Sequence, residues 1–78
     1  MKVYTYRVIV EPDENNTFHA FVPALPGCHS FGATIDEAQW NIHEAIELHV
    51  EAMIEDGETV PEQKDPVYIT RISIPVAA

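Results

Sequence analysis

The stretch from Val22 to Ala38, VPALPGCHSFGATIDEA, constrains this chain more than any other. It reads as the end of a strand, a corner punctuated by Pro and Gly, a short further strand and a helix start. Phe18, Ala20 and Val22 share one face of the incoming strand. Pro23 and Pro26 lack an N–H and cannot continue a central ladder. Gly27 can adopt the positive φ that turns the corner. Thr34 followed by Glu37 is a capping box, in which each side chain satisfies an orphan backbone N–H at the helix start.

The rest of the chain fits around that frame. Residues 2 to 11 alternate, with Tyr4, Tyr6, Val8 and Val10 on one face and Val3, Thr5, Arg7 and Ile9 on the other, which predicts a strand. Pro12 to Asn16 predicts a turn, residues 17 to 23 a second strand, and residues 28 to 33 a short third one. A long helix is predicted from about Ile35 to Asp56, with Gly57 placed to end it. Glu58 to Pro66 is a polar, Pro-bounded connection, and residues 67 to 75 (VYITRISIP) form a fourth strand by their β-branched content. The order βββαβ predicts an α+β fold: a three-to-four-stranded, mainly antiparallel sheet with one long helix packed on one face.

The 78 residues are expected to form a single domain, 1–78, without a separate DNA-binding domain. A domain of this size buries only about 60% of the surface its unfolded chain exposes. Self-association would add to that modest burial, so a homo-oligomer is expected. Cys28 is the sole cysteine, which rules out an intramolecular disulfide and a CxxC metal frame and fits a reducing cytoplasm. No apolar run approaches the ~20 residues of a membrane helix, and the N-terminus alternates too regularly for a signal peptide. The formal net charge is −9, with Lys2, Arg7, Lys64 and Arg71 the only basic residues. Val8 to Gln63 contains no Lys or Arg, a composition that repels phosphate and argues against direct nucleic-acid binding. The same charge would steer a basic partner, or serve only solubility.

At about 100° per residue the helix separates into two surfaces. Ala38, Ile42, Ala45, Ile46, His49 and Met53 fall on a core side, with Ile35, Val50 and Ile54 nearby. Glu37, Glu44, Glu47, Glu51, Glu55 and Glu58 fall opposite, uninterrupted by a cation. Each close like-charge pair costs roughly 0.2–0.5 kcal/mol. The row is either a solvated outer face or a contact for a cationic partner. Trp40 and Leu48 sit among these carboxylates, where they suit a binding hot spot; packing of Trp40 against a neighbouring loop is the alternative.

Catalytic chemistry is not legible. His19, His29, His43 and His49 are not at metal-ligand spacing, and His49 on the apolar face reads as a hydrogen-bonded core residue. Ser30 and Cys28 flank His29, but strand neighbours point to opposite faces, so no nucleophile–base pair forms there. The strand interiors carry no carboxylates of the kind that would gather Mg²⁺ for a nuclease. No cofactor, metal or enzymatic activity is expected.

PALPGC, then HSFGATIDEA, then a long helix closing at Asp56-Gly57 and a Pro at Pro61 resemble the N-terminal domain of HicB antitoxins over roughly residues 4 to 61. The resemblance implies a fold related to a trimmed RNase H sheet. It also implies a non-catalytic antitoxin that binds and masks a HicA-type toxin, a small basic mRNA-cleaving RNase. Many such antitoxins continue into a DNA-binding segment, and none is read here. The candidate partner-binding residues are Trp40, Glu44, Glu47, Leu48 and Glu51 on the helix, and His29 and Ser30 at the corner. The alternative is a stand-alone homo-oligomeric binding module of the same family with no toxin.

Overall fold

A hairpin begins the sheet because Asp13 to Asn16 fold back on themselves. In the computed structural model, which describes residues 2–63 and 68–77, β1 spans Ile9–Asp13 and β2 spans Thr17–Phe21. A single 3-10 turn, Glu14–Asn16, joins them. Asp13 Oδ1 accepts from Glu14 N at 2.8 Å, Thr17 Oγ1 donates to Glu14 O at 2.8 Å, and Asn15 and Asn16 take positive φ. Asn is among the few non-glycine residues that tolerate that region. The turn is shorter than its sequence suggests, since Pro12 lies within β1 opposite Phe18. β1 is an edge strand, where a missing N–H is tolerated.

The PALPGC corner is two consecutive turns. Leu25 N donates to Val22 O at 3.0 Å across Pro23-Ala24, and Cys28 N donates to Leu25 O at 3.0 Å across Pro26-Gly27. Pro at the second position and Gly at φ +84° at the third define a type II turn. Val22 N then donates to Cys28 O at 3.2 Å and closes the corner. β3, His29–Gly32, returns antiparallel to β2, giving a sheet of order β1-β2-β3.

α1 spans Ile35–Glu55 and packs on one face of this sheet. Its start is capped as predicted: Glu37 N donates to Thr34 Oγ1 at 3.0 Å. Glu37 Oε1 reaches back one residue further than the usual box, to Ala33 N at 3.1 Å. At its end Glu58 N donates to Met53 O and Gly57 N to Ile54 O, with Gly57 at φ +71°, a Schellman closure. Gly32 sets how closely helix and sheet approach. A Cβ there would lie 2.3 Å from Ala38 N. Asn41 Nδ2 donates to Phe31 O at 2.7 Å across the same junction.

The core comprises Ala20, Val22, Leu25, Cys28, Ala38 and Ile42, flanked by Tyr6, Val8, Val10, Phe18, Ala45, Ile46, Val50 and Met53. The alternation of residues 4 to 10 thus selects the inward face, although the ladder begins only at Ile9. Ile35 and Ile54, placed near the core by helical angle, are exposed at the two ends of α1, where the short strands no longer lie beneath it. His49, read from the sequence as a hydrogen-bonded core residue, is only half-buried, lines a shallow cavity with Leu25, Pro26 and Met53, and its side chain makes no hydrogen bond among the described residues.

The predicted fourth strand is a correction. Residues 68–77 join no ladder of the described sheet and are exposed throughout. A period of two identifies a segment fit for a strand but not the edge it will join. Val67 of that strand, Lys64, Asp65 and Pro66 of the connection, and the terminal Met1 and Ala78 lie outside the described residues.

Candidate functional site

The outward face of α1 gathers five of the seven candidate residues. Trp40 and Leu48 are each 67% exposed, so the described residues leave most of either apolar side chain uncovered. Glu44, Glu47, Leu48 and Glu51 line one shallow depression of about 210 Å³, and Trp40 lies one helical turn before Glu44. His43 Nδ1 lies 3.1 Å from Glu47 Oε1 across one turn, among the described residues the sole ion pair made by a carboxylate of this depression. Two residues of the predicted acidic row are diverted. Glu37 is held by the helix cap, and the turn at Gly57 takes Glu58 round to a cavity lined by Leu25, Pro26 and His49.

His29 and Ser30 do not join this surface. β3 sends them to opposite faces: Ser30 pairs with buried Ala20 on the helix side, while His29 pairs with Phe21 on the outer face of the sheet. On that outer face lies a cluster which sequence spacing alone did not reveal. His19 stacks on Phe31 with centroids 4.8 Å apart and on Phe21 at 5.4 Å. Its Nε2 lies 3.3 Å from His29 Nδ1, and its Nδ1 lies 3.7 Å from Glu11 Oε1. The signal was the hairpin register: Glu11 opposite His19, and His19 opposite Phe31. Among the described residues no group of three or more His, Cys, Asp or Glu is disposed to hold a metal ion.

Cys28 is buried in the corner, and burial pushes its thiol above the ordinary range, which disfavours the thiolate a nucleophile needs. Tyr6 is likewise raised by burial, and its hydroxyl donates to Pro61 O. Among the described residues no helix is long and apolar enough to cross a membrane.

A three-stranded antiparallel sheet under one long helix, with an exposed aromatic–acidic helix face, defines a small α+β domain. The chain belongs to the family described as "HicB_like antitoxin of bacterial toxin-antitoxin system", whose pattern it matches over residues 6–71. It is 43% identical over 73 residues to the UPF0150 protein ssr1765 of Synechocystis sp., covering 94% of this chain and 90% of that one. It is 39% identical over 57 residues to a UPF0150 protein of Archaeoglobus fulgidus, covering 70% and 83%. Its fold is similar to the crystal structure of the N-terminal domain of Burkholderia pseudomallei antitoxin HicB. There the TM-score is 0.66 at 42% identity, over 76% of this chain and 69% of the other.

Proposed function

We propose that this chain is the antitoxin of a type II toxin–antitoxin pair and masks a HicA-type toxin, a small basic mRNA-cleaving RNase, without chemistry of its own. The observation that carries the reading is the uncovered Trp40–Leu48 pair set among Glu44, Glu47 and Glu51, on a helix with no Lys or Arg. Carboxylates there would take the place of RNA phosphates on the toxin's cationic surface, and Trp40 would supply the desolvated anchor. The chain would act in the cytoplasm as a single domain and a homo-oligomer, without binding nucleic acid itself.

The test is toxin binding by surface plasmon resonance at two salt concentrations, with circular dichroism as the folding control. Reversing Glu44, Glu47 and Glu51 to Lys is expected to lower the on-rate and flatten its salt dependence, because steering acts over a Debye length of ~8 Å. Trp40→Ala is expected to raise the off-rate, by about 30-fold if the anchor contributes ~2 kcal/mol. Unchanged kinetics in both variants would move the contact to another face, with the His19–His29–Phe31 cluster the next surface to mutate.

A further inference from the structure

The last described stretch of the chain is amphipathic and uncovered. In a strand Tyr68, Thr70, Ile72, Ile74 and Val76 fall on one face and Ile69, Arg71 and Ser73 on the other. Tyr68, Ile72, Ile74 and Val76 are between 72% and 87% exposed. The radius of gyration is 15.7 Å, against about 11.5 Å for a globule of this length. The longest extent, 56 Å against 30 and 19 Å, fits a segment that projects from the body. Contiguous apolar side chains of this kind mark an interface.

The body offers a matching edge. Among the described residues β1 pairs with β2 alone, so its other edge is open there. Beside it a groove of about 420 Å³ runs between residues 4–8 and α1, lined by Tyr4, Tyr6, Val8, Ile42 and Ile46. Arg7, on the opposite face of the same stretch, has Nη1 buried with no hydrogen-bond partner among the described residues. Within one chain, the connection after α1 is held against residues 2–7, ahead of the β1 ladder. Tyr6 donates to Pro61 O, Arg7 N to Gln63 Oε1 at 3.4 Å, and Lys2 pairs with Glu62. Charge also matches: Tyr68 to Val76 holds Arg71 and no carboxylate, whereas the receiving body is strongly acidic.

We infer that Tyr68–Val76 adds as a strand to the free edge of β1 in a second copy of this chain, and that two copies exchange these segments reciprocally. Ile72 and Ile74 then cover the groove over Ile42 and Ile46, and Arg71 lies on the outer face with Glu11. Reciprocal exchange closes a two-fold dimer and leaves neither segment uncovered. This names the contact behind the self-association proposed above.

The test has two readouts on the full chain. Sedimentation at micromolar concentration gives the mass, expected at twice 8.8 kDa. Isotope-filtered NMR on mixed labelled and unlabelled copies gives the contact, expected as intermolecular NOEs between residues 69–75 and Val8 or Val10. A monomeric mass overturns both the exchange and the self-association. A dimer whose segment NOEs are absent or purely intramolecular overturns the exchange alone. Ile72→Lys combined with Ile74→Lys is expected to yield a monomer with native helical dichroism, and a persistent dimer would overturn the exchange. Should that variant unfold, the NMR readout on the unmodified chain decides.

Discussion

Gly32 is the glycine at which an added Cβ finds no room. The missing Cβ lets the Glu37–Ala38 backbone sit against β3, and any side chain must displace main-chain atoms. Gly32→Ala is expected to cost about 3 kcal/mol, the upper end of overpacking, because rigid backbone cannot yield as a flexible side chain does. The urea midpoint checks it, with Gly27→Ala as a comparison that is strained by φ alone. Cys28 makes a second prediction at this scale. Burial raises its thiol pKa, so the folded state holds the proton more tightly than the unfolded one. The resulting stability is complete below the ordinary thiol pKa and is lost as pH rises through the folded value. The urea midpoint should fall with pH across that alkaline window, and Cys28→Ala should remove part of the fall. Tyr6, raised by burial as well, contributes with the same sign at still higher pH.

The elements were legible in proportion to how local their determinants are. Thr34 and Glu37 announce the start of α1 and Gly57 its end, since caps depend on residues within one turn. The helix accordingly runs Ile35–Glu55, within a residue of its predicted bounds. Thr34→Ala removes the acceptor for Glu37 N and is expected to cost ~1 kcal/mol, read as a lower thermal midpoint. Strand limits were less legible. Residues 2 to 8 alternate as well as residues 9 to 11 do, yet only the stretch facing β2 forms a ladder. Alternation reports which face is apolar, whereas a ladder requires a neighbour at the right distance. The same distinction explains why Ile72 and Ile74 read as strand residues but join no edge among the described residues.

For the whole molecule the governing quantity is a net charge of −9 on 78 residues. Among the described residues most of the helix carboxylates have no cationic neighbour, so like-charge repulsion opposes folding at low ionic strength. Raising NaCl from about 10 mM to 150 mM shortens the Debye length from roughly 30 to 8 Å and should raise the thermal midpoint. A midpoint that falls or stays level would mean that repulsion along α1 is already relieved by folding geometry. The corner, the caps, the inward face of each element and the carboxylate row were determined by the sequence itself, because each depends on residues adjacent in the chain or on a fixed period. Those caps also take Glu37 and Glu58 out of the row, whereas the tertiary structure decided what depends on distant segments. It alone brought His19 against His29 and Phe31, and left Tyr68 to Val76 off the ladder formed by the described residues. Those outcomes depend on register and packing between segments far apart in sequence, and no local periodicity encodes the distance between them.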